Sequence, residues 1–149
     1  MQPTPDIAAW QAGIVTHSAA ETERAGEVLA TLIPPDTTLL LRGDLGAGKT
    51  TFARGFARGL GIVGDITSPS FALLNVHRGR RQLLHVDAYR LTDPAQFDAL
   101  LLDEIQTSPW NLLIEWPERI AGREPAGTWT LSIEAAASDS RQLRLSLQK

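Results

Sequence analysis

The amino-acid sequence predicts an α/β protein with a mixed β-sheet, helices on the faces of the sheet and antiparallel strands near the C-terminal end. Two observations support this fold class. An almost entirely apolar run at 37–41 lies between two helical patterns, and two runs near the end alternate apolar and polar residues. A length of 149 residues and a hydrophobic content of 43% are typical of one globular domain, so we predict one domain over residues 1–149.

The N-terminal part of the chain predicts a loose segment, a short strand and a helix. Residues 1–12 show no clear pattern and are expected to be loose, whereas residues 14–16 predict a short strand. Ser18 followed by Glu21 forms a capping box, and the helix that begins there has an apolar face containing Ala25, Val28, Leu29 and Leu32. Two prolines at 34–35 end this helix.

The next segment predicts a buried strand, a tight turn and a second helix. The run TTLLL at 37–41 is typical of a strand covered on both faces. The chain then turns at Gly43 and enters a helix near Lys49, whose apolar face contains Phe52, Phe56 and Leu60. Gly61 ends this helix.

The middle of the chain predicts a hairpin followed by a helix. Two runs rich in β-forming residues, at 71–77 and 82–87, flank a polar turn at 78–80. Pro94 is suited to the first turn of a helix, which would carry Phe97, Leu100 and Leu101.

The last third predicts three strands. Residues 112–114 form a compact apolar run that is closed by Pro117. Residues 129–135 and 142–147 alternate apolar and polar side chains around a turn at 138–140, as two half-buried strands should.

Composition excludes several classes of function. Seventeen acidic and fourteen basic residues give a formal charge of -3, which argues against binding nucleic acid by bulk electrostatics. Cysteine is absent, so no disulfide, thiol nucleophile or thiolate metal site is expected. The first residues lack a basic segment followed by an apolar one, and no long apolar run follows, so a soluble cytoplasmic protein is expected.

The segment GDLGAGKT at 43–50 satisfies the pattern of a phosphate-binding P-loop, G-x-x-x-x-G-K-[ST]. Its glycines let the backbone wrap around phosphate oxygens, and the following helix directs its positive end at the same anion. Lys49 adds a cation for the β- and γ-phosphates, and the Thr50 hydroxyl is a ligand for Mg²⁺. The alternative is a glycine turn with an exposed lysine, but the apolar strand before it and the helical pattern after it favour a P-loop NTPase domain.

Two carboxylates follow predicted strands and are candidates for the metal site. Glu115 directly follows the predicted strand at 112–114, at a position where P-loop proteins place an acidic residue near the metal. A glutamate that faces solvent is the alternative. Asp87 ends the strand at 82–87, and from the residues alone it is equally well explained as a turn-initiating aspartate.

A hydroxyl-rich loop contains Thr67, Ser68, Pro69 and Ser70, after glycines at 61 and 64. Hydroxyls of this kind can face a γ-phosphate and order the loop when triphosphate is bound. An ordinary turn stabilised by serine and threonine is the simpler interpretation from the residues alone.

Four segments occur together and in a fixed order: GDLGAGKTTFARGFARGLG at 43–61, TSPSF at 67–71, HVDAYRL at 85–91 and LLIEWPER at 112–119. Together they resemble the TsaE family, the bacterial tRNA threonylcarbamoyladenosine biosynthesis ATPases. The resemblance is specific because segments such as HVDAYRL and LLIEWPER are not general features of P-loop proteins.

The resemblance implies a slow, Mg²⁺-dependent ATPase that binds TsaD and TsaB, the other proteins of the threonylcarbamoyl-transfer complex, and resets that complex between cycles. Any contact with tRNA would be indirect. It also implies site roles. The phosphate contacts would come from Gly46, Ala47, Gly48, Lys49, Thr50 and Thr51; the metal ligands would be Thr50 and Glu115. Asp87 would lie beside the metal and the attacking water, residues 67–70 would form the nucleotide-sensitive loop, and Trp116 would lie near the site.

The chain departs from the family pattern at two places. Ser70 stands where the family commonly has threonine, and the stretch at 92–111 lacks the family's usual glycine-containing sequence. Arg141, just before the last predicted strand, is a candidate contact for the base or ribose, although a solvated arginine at a strand end is the alternative. The histidines at 17, 77 and 85 have no metal-ligand spacing and are interpreted as structural or surface residues.

Two other functions share the P-loop. A small-molecule or nucleoside kinase would need an arginine-bearing lid, for which Arg78, Arg80 and Arg81 are the candidates. A binding module that senses a nucleotide without hydrolysing it would need only the loop and a partner surface.

Overall fold

Strands from both halves of the chain assemble into one sheet in the computed structural model, which describes residues 6–44, 46–64, 73–137 and 139–147. Within these residues the strands are β1 (Ile14–Thr16), β2 (Thr37–Arg42), β3 (Leu74–Arg78), β4 (Gln82–Asp87), β5 (Trp110–Glu115), β6 (Trp129–Ala135) and β7 (Arg141–Leu147). They form a seven-stranded sheet in the order β1-β7-β6-β2-β5-β4-β3. The predicted α/β fold is confirmed.

The sheet is parallel at its centre and antiparallel at its edges. Strand β2 pairs in parallel with β5 and β6, and β5 pairs in parallel with β4. The pairs β3–β4, β6–β7 and β1–β7 are antiparallel. Because β2, β4 and β5 run in the same direction, their carboxyl ends meet at one edge, which brings Arg42, Asp87 and Glu115 close together.

Helices cover both faces of the sheet. The α-helices in the described residues are α1 (Ile7–Ala12), α2 (Ala19–Leu32), α3 (Lys49–Gly59), α4 (Ala95–Asp98) and α5 (Leu102–Ile105), and short 3₁₀ helices span Ala88–Arg90 and Pro117–Ile120. One apolar cluster joins the first three helices to the side chains of Leu39 and Leu41, and a second joins Leu40 to the residues around α4 and α5. Successive residues of β2 therefore face opposite layers, which confirms the prediction of a strand buried on both sides.

Helices α2 and α3 pack with their backbones in close approach. A Cβ atom on Gly26 would collide with the carbonyl oxygen of Phe52, and one on Gly55 would collide with that of Glu23. The predicted cap of α2 is present, since the Ser18 hydroxyl accepts the N–H of Glu21 at 3.1 Å. The packing fixes the start of α3 relative to α2, and both helix starts border the cavity described below.

The expectation of a loose terminus over 1–12 is wrong for residues 7–12. Asp6 accepts the N–H of Ala9 at 2.9 Å and caps α1, and Trp10 is completely buried. One turn and a half of helix is too short to give a periodic pattern, but burial of a single tryptophan contributes several kilocalories per mole to holding it.

The single helix predicted from Pro94 is also wrong in extent. The chain forms α4, then leaves helical geometry at Leu101, whose φ is 52°, and forms α5. Leu101 is 54% exposed, whereas Phe97 and Leu102 are buried. The break places Leu102 in the core and leaves Leu101 exposed. Tertiary packing therefore overrides the helical spacing of the sequence.

Strand β3 is described from Leu74, and residues 71 and 72, which the hairpin prediction included, lie outside the described residues.

Across the part of the chain that the structure describes, no helix has the length and apolar character needed to cross a membrane.

Candidate functional site

The loop between β2 and α3 has the backbone conformation that phosphate-binding glycines permit. Gly46 has a φ of 80° and Gly48 a φ of 106°, values that residues with a Cβ rarely adopt. Gly48 is the N-cap of α3, and its carbonyl oxygen accepts the N–H of Phe52 at 2.9 Å. The first N–H groups of an α-helix lack partners within the helix, so the start of α3 suits an anion.

A cavity of about 700 Å³ opens over this loop. Loop and α3 residues form one wall: Gly46, Gly48, Lys49, Thr50 and Thr51. Residues at the ends of β4 and β5 form the second: Asp87, Tyr89, Glu115 and Trp116. The start of α2 and the turn before β7 form the third: His17, Ser18, Ala19, Thr22, Asp139 and Arg141. The structure thus brings together the predicted site residues that it describes, except Ala47.

Ala47 belongs to the loop but does not line this cavity. Its side chain is buried, and its N–H donates to the carbonyl oxygen of Asp44 at 3.0 Å. In this arrangement the Ala47 amide is directed at the protein's own backbone.

Lys49 is nearly buried at the head of α3. Its Nζ donates to the carbonyl oxygen of Gly43 at 2.6 Å and lies 3.2 Å from the ring centroid of Trp116. Burial lowers the pKa of Lys49, and the nearby Glu115 carboxylate opposes that shift. The ammonium group is therefore held at the cavity wall by one carbonyl group and one aromatic face.

Trp116 has a backbone conformation that is unusual for a bulky residue. Its φ is 58°, directly after the end of β5, and its ring lies 5.0 Å from that of Tyr89. A left-handed conformation here turns the chain sharply after Glu115. The turn lets Trp116 lie against Lys49 while Glu115 stays in the sheet, and the prediction that Trp116 lies near the site agrees with this geometry.

Glu115 and Asp87 are adjacent at the carboxyl edge of the sheet. They are partners in the β4–β5 register. Glu115 is only 4% exposed, so the alternative of a solvated glutamate is wrong. Asp87 is half-buried, and its Oδ1 accepts the N–H of Tyr89 at 3.1 Å. Burial raises the pKa of Asp87, an effect that this hydrogen bond opposes and the charge of Glu115 reinforces.

His85 contacts Glu115, a relationship that the sequence analysis missed. Its Nε2 lies 2.7 Å from Oε2 of Glu115, and its ring is completely buried. A hydrogen on Nε2 makes His85 the donor to the carboxylate. The available signal was the H-x-D spacing, because residues two apart in a strand face the same side, and Asp87 was already a candidate.

The donor set fits a magnesium ion. Thr50, Asp87 and Glu115 supply hydroxyl and carboxylate oxygens around one cavity, and Mg²⁺ prefers oxygen ligands. Among the described residues, no group of three or more histidine, aspartate or glutamate side chains forms a protein cage for a metal. Mg²⁺ is often bound by one or two carboxylates together with water and substrate phosphates, and the two carboxylates and the hydroxyl at this cavity suit that kind of binding.

Residues 67–70, the proposed nucleotide-sensitive loop, are outside the described residues, so that prediction is untested. The candidate lid arginines lie at the end of β3 and in the turn before β4, at the edge of the sheet opposite the P-loop. There Arg80 donates to the carbonyl oxygen of Gly59, and Arg81 donates to that of Ile33 at 2.9 Å. This position does not support the lid of a kinase.

Arg141 reaches the P-loop from β7. Its Nε donates to the carbonyl oxygen of Ala47 at 2.9 Å, and its Nη2 to that of Gly46 at 3.3 Å. The alternative of a solvated arginine is therefore wrong for the guanidinium. A contact with a base or ribose stays a prediction.

Comparison with known proteins gives a consistent result. The family model described as threonylcarbamoyl adenosine biosynthesis protein TsaE matches residues 16–143. A tRNA threonylcarbamoyladenosine biosynthesis protein TsaE from Treponema pallidum is 40% identical over 129 residues, covering 87% of this chain and 96% of that protein. The protein of the same name from Bacillus subtilis is 36% identical, covering 86% and 80%.

The fold has a solved counterpart. The crystal structure of Bacillus subtilis YdiB superimposes with a TM-score of 0.76 and 31% sequence identity, covering 92% of this chain and 85% of that one.

Proposed function

Because the chain belongs to the TsaE family of threonylcarbamoyladenosine biosynthesis proteins, we propose that it is a Mg²⁺-dependent ATPase that supports this modification of tRNA. One observation carries the proposal. A P-loop with Lys49 and Thr50 faces two carboxylates, Asp87 and Glu115, that end adjacent parallel strands and share one cavity with it. We propose that the activity is cytoplasmic.

The proposed roles follow from charge and position. N–H groups at the start of α3 bind phosphate oxygens, and Lys49 moves from the Gly43 carbonyl group to the β- and γ-phosphates. Thr50 and Glu115 hold Mg²⁺, either directly or through water. Mg²⁺ held there would supply neutralisation of the negative charge that develops on the phosphate oxygens during hydrolysis.

Asp87 is proposed to orient the attacking water. It is the half-buried carboxylate of the pair, and its partner in the register, Glu115, already accepts a hydrogen bond from His85. A carboxylate with a raised pKa is a better proton acceptor than an ordinary aspartate. Positioning and charge neutralisation would then supply most of the rate acceleration.

Hydrolysis by the isolated protein is proposed to be slow. Among the described residues that line the cavity, Arg141 is the one arginine, and its guanidinium is bound to backbone carbonyl groups. It lies on β7, across β2 from the strands that carry the two carboxylates. We propose that TsaD and TsaB complete the site, and that hydrolysis resets their complex.

Calorimetry with ATP and ADP, with and without Mg²⁺, tests nucleotide binding by the folded protein. Phosphate release, measured with and without TsaD and TsaB, tests the role of the partners. We expect binding in magnesium buffer and slow hydrolysis that the two partners change. Folded protein without affinity for either nucleotide would exclude the proposal, and fast hydrolysis that the partners leave unchanged would exclude its second part.

A further inference from the structure

Arg141 is bonded to the P-loop through carbonyl oxygens, which are groups that face away from a bound anion. Its Nε reaches the oxygen of Ala47 at 2.9 Å and its Nη2 that of Gly46 at 3.3 Å. A third donor, Nη1, reaches the oxygen of Ser140 at 3.0 Å. Three of the five guanidinium N–H groups therefore lie on backbone acceptors.

A bond to a carbonyl oxygen also fixes the amide on the other side of the same peptide. In a trans peptide the C=O and the following N–H point in opposite directions. The bond from Arg141 to the oxygen of Ala47 thus directs the N–H of Gly48 away from Arg141. In a P-loop this is the direction of the phosphates.

The loop needs such a constraint because of its own composition. Gly46 and Gly48 both have positive φ values, and glycine exchanges between positive and negative φ at little cost. Each of the two peptides between Gly46 and Gly48 has a glycine on one side, so it is easily rotated, and rotation of the second would turn the N–H of Gly48 out of the anion site. A planar guanidinium that holds two successive carbonyl groups opposes that rotation.

Arg141 is itself held by a rigid element. It is paired with Thr16 of β1 on one side and Ala135 of β6 on the other. Thr16 and Thr22 share a buried hydroxyl–hydroxyl hydrogen bond of 2.7 Å, and a Cβ on Gly48 would lie 3.7 Å from Cγ2 of Thr22. The loop therefore rests against side chains that the sheet and α2 keep in place.

We propose that Arg141 is a positioning residue for phosphate binding, which holds the peptides between Gly46 and Gly48 so that the Gly48 amide faces the triphosphate. It acts on the phosphate end of the ligand and does not read the base or the ribose. The inference rests on the proposed nucleotide binding and assigns one part of it to a residue outside the P-loop.

The test measures the affinities of ATP and of inorganic tripolyphosphate, in magnesium buffer, for the wild-type protein and the variants Arg141→Ala, Arg141→Lys and Arg144→Ala. Tripolyphosphate has the phosphates without base or ribose, so it separates the two roles of Arg141. Arg144→Ala is the matched control, because it removes the same charge from an exposed site on the same strand. Arg141→Lys keeps the charge but loses the fork that spans two carbonyl groups.

We expect Arg141→Ala to weaken both ligands by the same factor, about tenfold or more, which is the size of a charge-assisted hydrogen-bond loss. Arg141→Lys should restore little of it, and Arg144→Ala should change both affinities less than about twofold. Melting temperatures of all variants separate this effect from a loss of folding. If Arg141→Ala does not fold, Arg141→Lys carries the same comparison of the two ligands.

Four results would overturn the inference. Weaker ATP binding with unchanged tripolyphosphate binding would assign Arg141 to the base or ribose, and unchanged binding of both would remove its role. Full restoration by lysine would reduce it to a charge effect. A wild-type protein that binds ATP but not tripolyphosphate would show that the loop does not hold phosphates independently. A folded wild-type protein that binds neither ligand would instead exclude the proposed function itself.

Discussion

The Nε2 atom of His85 lies 2.7 Å from Oε2 of Glu115. Both side chains are buried, with exposed fractions of 0% and 4%. A buried carboxyl group is costly unless it is hydrogen-bonded, so the contact with His85 compensates for the burial of Glu115 and holds one of its two oxygens. The other oxygen then has a defined direction, which is a requirement for binding a metal or its water shell.

Replacing His85 with alanine should weaken the metal dependence of nucleotide binding. The change leaves Glu115 buried without its donor, so we expect about tenfold weaker Mg²⁺ activation and a loss of about 1–3 kcal/mol in the free energy of unfolding. Magnesium titrations at fixed ATP and urea unfolding measure the two effects.

His77→Ala is the control for this change. His77 lies on the neighbouring strand β3, is partly buried, and burial lowers its pKa. No hydrogen bond joins it to Glu115 in the described residues. An equal loss of Mg²⁺ activation in both histidine variants would contradict a specific role for His85.

Much of the architecture follows from local pattern. The alternation of TTLLL between two layers, the cap at Ser18 and the glycines of the P-loop are local signals, and the structure confirms each of them. Asp87 and Glu115 were placed at strand ends by the same reasoning, and their adjacency follows from the parallel pairing of β4 and β5.

The missed features depend on contacts between distant residues. Helix α1 is held by burial of Trp10, and the break at Leu101 places Leu102 in the core. The contacts of Arg141 join β7 to a loop more than ninety residues earlier in the chain. Periodicity contains no information on such pairs, because they are created by the sheet order rather than by neighbouring residues.

Lys49→Ala should abolish measurable affinity for ATP. The substitution removes the cation for the β- and γ-phosphates and leaves the glycine loop intact. Calorimetry in magnesium buffer measures the effect, and urea unfolding should show that the variant stays folded. Arg54→Ala, which removes an exposed cation one and a half turns further along α3, is the control and should bind ATP normally. Retained ATP affinity in Lys49→Ala would contradict the proposed cradle.

Nucleotide binding should change the fluorescence of Trp116. Lys49 Nζ lies 3.2 Å from the ring centroid of Trp116, and the proposed movement of Lys49 to the phosphates removes that cation. Titration of ATP measures the change. Since the chain has four tryptophans, Trp116→Phe identifies the source and should abolish the signal. An unchanged ATP-dependent signal in Trp116→Phe would assign it to another tryptophan.

Glu115→Ala should separate metal binding from nucleotide binding. We expect the affinity for ATP without Mg²⁺ to change less than the additional affinity that Mg²⁺ supplies, because Glu115 contacts the metal and not the phosphates in the proposed arrangement. Calorimetry of ATP with and without Mg²⁺ gives both quantities. Glu118→Ala removes an exposed carboxylate near the same edge and is the control. Equal losses with and without Mg²⁺ would exclude a metal role for Glu115.

Asp87→Asn should stabilise the fold at neutral pH while it slows hydrolysis. Burial raises the pKa of Asp87 above its ordinary value of 3.8, so the folded state binds this proton more tightly than the unfolded state. Its contribution to stability is therefore fully present below the unfolded-state pKa and is lost as pH rises through the folded-state pKa. Asparagine has no charge to desolvate, and its side-chain oxygen can still accept the N–H of Tyr89.

The gain should be below about 1 kcal/mol, because Asp87 is only partly buried and water screens its charge. Urea unfolding at neutral pH and at decreasing pH measures it, and the difference from wild type should shrink as Asp87 becomes protonated. Asp103→Asn, at an exposed position of α5, should change stability little at any pH. If Asp87→Asn is less stable than wild type at neutral pH, the charge of Asp87 is stabilised in the fold, and a pKa raised by burial would be wrong.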